Sequence, residues 1–360
     1  MAEFLFEYGL FAAKLGTFVV AVLLVIAVFM IASRRMRQSS KGHIEVSRVN
    51  DEIESMRLAL DAGVSDPDSF KQHFKYRAKQ EKSKRKERRK ALKQALKHGA
   101  AEDAAGNDRK RVYVLDFNGD LRAAAVSALR REITAVLSIA RDGDEVVVRL
   151  ESRGGMVHAY GLASSQLQRI RQQGIDLTVS IDKVAASGGY MMACVANKIL
   201  SAPFAILGSI GVVAQLPNFH RLLKKHDVDF ELITAGDYKR TLTVFGKNTE
   251  QGRKKFVEDI EDVHRLFKEF VAEHRPQLDI EQVATGESWF GRRAIERGLV
   301  DELITSDEYL VEACASADVF EVRFVEKKTL PQRIGIVVEN ALDGVLLRWW
   351  ERGLFSRFLS

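Results

Sequence analysis

Cysteine and proline are both scarce. The chain has two cysteines, Cys194 and Cys314, in 360 residues. Both sit in apolar stretches without metal-ligand spacing, so they read as buried thiols, and a disulfide framework is excluded. Five prolines leave nothing from which to build a Pro-rich linker. No His-Glu-x-x-His stretch and no P-loop is present, so zinc-peptidase and nucleotide signatures are missing. The expectation is a protein without metal or other cofactor.

Charge is absent from residues 15–32, LGTFVVAVLLVIAVFMIA, for eighteen positions. That length meets the minimum for a membrane-spanning helix. A removed signal peptide is the rival reading. The apolar region is too long for it, and Arg34, Arg35 and Arg37 follow where small residues would mark a cleavage site. An uncleaved anchor over residues 1–32 is therefore expected, with the lipid bilayer as a partner. The arginines beyond the span favour a cytoplasmic C-terminal side.

The formal net charge is +6, and much of the excess lies in one place. Residues 81–97, EKSKRKERRKALKQALK, hold nine Lys or Arg against two Glu. No aromatic residue is interleaved, so a solvated helix or contact with anionic lipid fits better than nucleic acid. Apolar residues at Val46, Val49, Ile53, Met56 and Leu60 have helical spacing. Residues 33–108 are accordingly read as a basic helical stalk, ending at AAEDAAGND.

From Arg111 the texture changes. RVYVLDF (111–117), DEVVVRLES (144–152) and DLTVSI (176–181) read as strands, with helical patterns at 126–140 and 156–174 between them. Alternation of this kind predicts an α/β fold of repeated βαβ units around a largely parallel sheet. Ligands in such sheets bind at the carboxyl ends of strands. Three glycine-bearing segments fall there: SRGG (152–155), AASGGY (185–190) and ILGSIGVV (206–213). Residues 184–216 are apolar enough to resemble a second span, but Asn197, Lys198, Pro203 and four glycines place them in the core instead.

Within AASGGY, Ser187 precedes Gly188 and Gly189, which permit a tight strand-to-helix turn into YMMACVAN. A serine so placed is either a helix N-cap or a nucleophile. Gly154 and Gly155 can offer N–H groups to a developing oxyanion. A nucleophile needs a base, and eight histidines are present. His43, His73 and His98 fall in the stalk, and His220, His226, His264 and His274 on polar helical surfaces. His158 alone adjoins a glycine motif, without an aspartate in triad order. Lysine is the alternative. Lys239, in AGDYKRTLTVFG (235–246), lies in a loop-like stretch after a candidate strand, FELITA (230–235). A lysine can serve as base only where burial lowers its pKa, and Tyr238, Leu242, Val244 and Phe245 could supply the desolvation. On the residues alone, both bases stay open.

The ordered series SRGG, AASGGY, GSIGVV and GDYKR, with TGESWFGRRAIERGLVDEL (285–303) following, resembles the signal-peptide-peptidase A family of membrane serine peptidases. The motifs cover about residues 110–310. The resemblance implies a ClpP/crotonase-like fold and a Ser–Lys dyad, with Ser187 as nucleophile and Lys239 as general base. It further implies that Ser209 orients the lysine amine and that the N–H groups of Gly154 and Gly188 form the oxyanion hole, beside Gly155. Arg153 stands where the family commonly has proline. The implied function is hydrolysis of peptide or protein substrates, signal-peptide remnants or misfolded envelope polypeptides, at the bacterial inner membrane. The implied assembly is a homo-oligomeric ring in which Lys239 can serve its own or a neighbour's Ser187. The family suggests a periplasmic active site, against the local charges. A crotonase-type acyl-CoA enzyme and a non-catalytic membrane scaffold are the rivals.

Residues 109–310 are thus expected to be the catalytic domain. Thr249 is expected to cap a long helix with Phe256, Ile260, Val263, Phe267, Phe270 and Val271 in one stripe. Residues 311–360 are read as a tail whose Trp349, Trp350, Arg348 and Arg352 suit a membrane interface or another subunit equally.

Overall fold

Runs such as Val112–Leu115 and Val146–Val148 are apolar on both faces, which suits a strand covered by helices on each side. The computed structural model describes residues 42–66, 79, 83, 86 and 109–326. Residues 15–32, most of the basic run and the tail from 327 onward lie outside these. No helix among the described residues is long and apolar enough to cross a membrane. Ile44–Arg323 forms one compact unit.

The fold is α/β. In chain order the first elements are β1 (Gly42–Arg48), α1 (Val49–Val64), β2 (Arg111–Gly119), α2 (Val126–Leu137) and β3 (Glu145–Ser152). Next come α3 (Val157–Gln172), β4 (Asp176–Ile181), β5 (Val184–Ala186), α4 (Gly188–Ala193), β6 (Lys198–Ser201) and β7 (Ile206–Gly208). The remainder is α5 (His220–Lys225), α6 (Glu250–His274), α7 (Ile280–Val283), β8 (Ser288–Phe290), α8 (Gly291–Ala294), β9 (Glu302–Leu303), α9 (Ser306–Ser316) and β10 (Asp318–Glu326). The βαβ alternation expected over 111–181 is present.

One sheet runs β1-β10-β2-β3-β4-β6-β9, and a second branch, β5, β7 and β8, leaves it at β3. The ladders from β10 to β9 are parallel, as is β5 on β7, while β7 and β8 run antiparallel. The fork begins where Ser152, the last residue of β3, pairs with Ala185. One face of the sheet carries the main core, to which α2 contributes Val126, Leu129, Ile133 and Val136 and α3 contributes Tyr160, Ala163, Leu167 and Ile170. Both sets recur at three- and four-residue spacing, the signature of a helix with one buried stripe. The other face packs Val112, Val114, Val147 and Val319 against Leu310 of α9.

Four local expectations change. Residues 42–48 form a strand, so helix α1 starts at Val49 and Val46 lies outside it. FELITA is not a strand: residues 230–235 are exposed and pair with no neighbour among the described residues, and an extended segment without a ladder partner is left as loop. The helix after Ser187 ends at Ala193, with Cys194, Val195 and Ala196 buried in the turns that follow. The sheet continues past residue 310, because β10 lies between β1 and β2 with Val319 and Val322 buried. Residues 184–208 lie in short, largely buried elements, but 209–216 form no helix or strand and 213–216 are exposed, so only the first part of that stretch belongs to the core. Thr249 accepts a hydrogen bond from the Gly252 N–H (3.1 Å) at the start of α6.

At the other end of α6, Arg275 is 3% exposed. Its guanidinium donates to both carboxylate oxygens of Asp301 (2.7 and 2.9 Å) and to the Gly298 carbonyl (3.0 Å). The Ile199 N–H of β6 donates to the same carboxylate (2.7 Å). Burial alone would raise the Asp301 carboxyl, but the Arg275 guanidinium and the Ile199 N–H outweigh it and hold it below the usual carboxylate range. A carboxyl depressed in the folded state stabilises the fold fully above its unfolded pKa of about 3.9. That contribution fades as pH drops through the folded value. Asp301→Asn, which strands the buried guanidinium, is expected to cost about 3 kcal/mol at pH 7. Urea unfolding at pH 7 and pH 3 checks this: the gap between variant and wild type should narrow at the lower pH.

Candidate active site

Ser187 follows β5 directly and stands at the N-cap position of α4, with φ 52° and ψ −118°. An ordinary N-cap residue occupies the β region and its side chain accepts a backbone N–H. Ser187 does neither: its side chain makes no capping bond. Its own N–H donates to the Gly208 carbonyl (2.8 Å), and its carbonyl accepts the Met191 N–H (3.0 Å). Positive φ at a residue with a Cβ costs about 1–3 kcal/mol and persists only where the surroundings impose it. The strand–turn–helix setting is the one that presents a serine hydroxyl at a sharp elbow.

The glycines are dictated by contact. A Cβ on Gly188 would lie 2.5 Å from the Tyr160 ring. Gly154, at φ +85°, would bring a Cβ within 2.8 Å of Ser187 Cβ, the Gly188 N and the Ala186 carbonyl. The turn after β3 and the turn carrying Ser187 therefore touch backbone to backbone. Tyr190 anchors α4 from behind, its buried hydroxyl donating to the Leu299 carbonyl (3.0 Å); burial pushes that hydroxyl well above its usual range.

The fork in the sheet opens a cleft of about 680 Å³ here, with Ser187, Ser209, Gly154, Gly155 and Gly188 on its wall. Ala186 pairs with Gly208, so the next residues, Ser187 and Ser209, leave adjacent strands side by side. Ser209 also has positive φ (51°), and its N–H donates to the Glu287 carbonyl (2.6 Å). Arg153 is exposed at the same cleft. Gly188, first in its helix, has no intrahelical acceptor for its N–H. The Gly154 N–H is already used: it donates to Ser152 Oγ (3.0 Å).

Lys239 stands elsewhere. It lies in an exposed turn, its N–H on the Gly236 carbonyl (3.2 Å), and is not among the residues lining the cleft. Its arm is held at the base, where the Phe219 N–H meets the Val244 carbonyl (2.7 Å) and Asn218 donates to the carbonyls of Thr243 and Gly246. Beyond that base, Phe230, Leu232, Ile233 and Tyr238 are exposed, Ile233 by 92%. His158 is exposed near the start of α3. His264, assigned from its sequence to a polar surface, lines the cleft with Val263 and Phe267, its Nε2 3.3 Å from the Ile210 carbonyl. Its place beside Val263, on the border of the apolar stripe of α6, was the available signal.

Two family models match: the N-terminal model of peptidase family S49 over residues 3–167 and the peptidase family S49 model over residues 169–319. The chain is 48% identical to a "Probable protease SohB" of Haemophilus influenzae, over 96% of each chain. It is 39% identical to a "Putative protease SohB" of a Buchnera aphidicola strain, over 98% of this chain and all of the relative. Among solved structures, a lysine-to-alanine mutant of the membrane-bound stomatin-specific protease 1510-N, in complex with a substrate peptide, aligns at a TM-score of 0.40. It is 13% identical, over 64% of this chain and 99% of that one.

The contact geometry makes a prediction about reactivity. Gly154→Ala is expected to slow labelling of Ser187 by a fluorophosphonate on the order of a hundredfold. Gly143→Ala, also at positive φ but facing open space, should leave the rate unchanged. Adduct formation followed by mass spectrometry reads both.

Proposed function

From a chain that belongs to peptidase family S49, we propose a membrane-anchored serine endopeptidase that works through a Ser–Lys dyad on a ClpP/crotonase-like frame. The observation that carries this reading is the backbone of Ser187. A serine held at positive φ, without a capping bond and at the wall of a cleft, is poorly explained as a structural residue and well explained as a nucleophile.

The chemistry runs as acyl transfer. Ser187 Oγ attacks the carbonyl carbon of the scissile peptide bond. Neutral Lys239 Nζ takes the hydroxyl proton and returns it to the departing amine, and water then hydrolyses the acyl-enzyme by the same route reversed. The oxyanion is held by backbone N–H groups at the Gly154–Gly155 turn and at Gly188. Because the Gly154 N–H is committed to Ser152, Gly155 and Gly188 take the larger share. Ser209, beside Ser187 at the fork, orients the lysine amine.

Lys239 reaches Ser187 from a second copy of the chain. Its place on an exposed arm whose apolar residues, Phe230, Leu232 and Ile233, lie open to solvent supports this reading. A neighbouring subunit would cover that surface and remove water from the amine, as a base of this type requires. The assembly is then a homo-oligomeric ring. Residues 15–32 anchor it in the bacterial inner membrane, and its substrates are signal-peptide remnants or membrane-associated and misfolded envelope polypeptides. Protease accessibility in spheroplasts separates the periplasmic placing that the family favours from the cytoplasmic one that the flanking arginines favour.

Ser187→Ala and Lys239→Ala are each expected to lower casein hydrolysis by on the order of a thousandfold or more. Co-assembled, the two inactive variants should regain activity, because mixed rings place an intact Lys239 beside an intact Ser187. No recovery on mixing, with assembly intact, would sink the shared site. An unaltered rate in both single variants would favour the scaffold.

A further inference from the structure

Two hydroxyls outside the dyad converge on the oxyanion turn. Ser152 closes β3 and is 2% exposed; Tyr160, in the first turns of α3, is fully buried. Their oxygens are 2.5 Å apart. Tyr160 also donates to the Asp120 carbonyl (2.8 Å), and Ser152 Oγ accepts the Gly154 N–H (3.0 Å).

Counting protons fixes the direction of this series. A hydroxyl has one hydrogen to give. Tyr160 gives its own to Asp120, since a carbonyl can only accept, so the short contact is donated by Ser152 to Tyr160. Ser152 Oγ is then left as an acceptor, which the Gly154 N–H fills. The alternative for Ser152, the Gly119 carbonyl at 3.5 Å, is at the limit of a hydrogen bond. Burial raises the Tyr160 hydroxyl above its usual range, so it stays protonated at neutral pH.

Resting on the peptidase reading above, we propose that Tyr160 and Ser152 are positioning residues for oxyanion stabilisation. The directed series Gly154 N–H to Ser152 to Tyr160 to Asp120 carbonyl holds Gly154 at its positive φ and aims the neighbouring N–H groups at the developing charge. The Tyr160 ring adds a second function. It bears on Gly188 so closely that no side chain fits there, and one residue therefore sets both halves of the hole, the turn after β3 and the turn after Ser187. Neither touches the reacting atoms by this account. Their effect is felt only where negative charge forms on the substrate oxygen.

The test uses the full-length assembled protein, a fluorogenic peptide that the wild type cleaves, the matching peptide aldehyde and the cleaved product peptide. Tyr160→Phe, which keeps the ring on Gly188, and Ser152→Ala are each expected to lower kcat about tenfold to a hundredfold, with KM unchanged. The inhibition constant of the aldehyde, whose adduct carries the oxyanion, should rise in proportion, and that of the product peptide should stay as in the wild type. The double variant should be no worse than Ser152→Ala alone. Amide exchange at Gly154 reads the series without turnover and should accelerate in both single variants. Unchanged kcat, equal weakening of aldehyde and product, or wild-type exchange at Gly154 in Ser152→Ala would each overturn the proposal. A wild type whose turnover survives Ser187→Ala would instead overturn the peptidase reading, and the exchange result would still decide whether the turn is held as described.

Discussion

The site depends on one strained backbone position. Ser187 is held at positive φ because its N–H is taken by the Gly208 carbonyl on the adjacent strand, while its carbonyl has already begun helix α4. Those two bonds turn the chain sharply between strand and helix and push the hydroxyl out of the N-cap seat it would otherwise fill. The cost is tolerable because a large surrounding surface is buried. Met192, Ala193 and Cys194 of α4 and its end are inaccessible, and Tyr190 is tied to Leu299 across the core.

The fork in the sheet explains why the neighbours of Ser187 are what they are. Where β5 and β7 leave the main sheet, the ends of β3, β5 and β7 come together, and each ends in a residue or pair with unusual backbone: Gly154, Ser187, and Gly208 with Ser209. A continuous sheet would fill that space with ladder bonds. The divergence opens a cavity there, with the Gly188 N–H, which has no intrahelical acceptor, on its wall. Position in the fold, more than residue type, separates these glycines from those of an ordinary turn.

Much of this was legible in the sequence because it rests on local rules. The strands read at 111–117, 144–152 and 176–181 and the helical patterns at 126–140 and 156–174 rest on apolar runs and periodicity within each segment, and β2, β3, β4, α2 and α3 lie there. The tight turn at Ser187 follows from a serine and two glycines after a strand, whereas the role of nucleophile came from the family resemblance. What stayed hidden was non-local. The Ser152–Tyr160 contact joins a strand end to a helix face, and neither residue is unusual in its own segment. His264 enters the cleft only because α6 crosses it. Residues 42–48 and 318–326 form edge-side strands of the sheet although their neighbours in sequence are helices. FELITA has strand composition and no partner to pair with, which composition cannot reveal.

In the proposed ring, the exposed arm would link the site to assembly. Ile233 on that arm is 92% exposed, an arrangement that costs solubility in a lone chain and disappears when a like surface covers it. The same covering would bring Lys239 out of water. A structure of the assembled full-length protein, trapped with a fluorophosphonate, tests this most directly. The account predicts the adduct on Ser187 Oγ, with Lys239 Nζ of an adjoining chain and Ser209 Oγ within hydrogen-bonding distance of each other beside it. An assembly in which every Lys239 faces open solvent, or an adduct on any other residue, would contradict it.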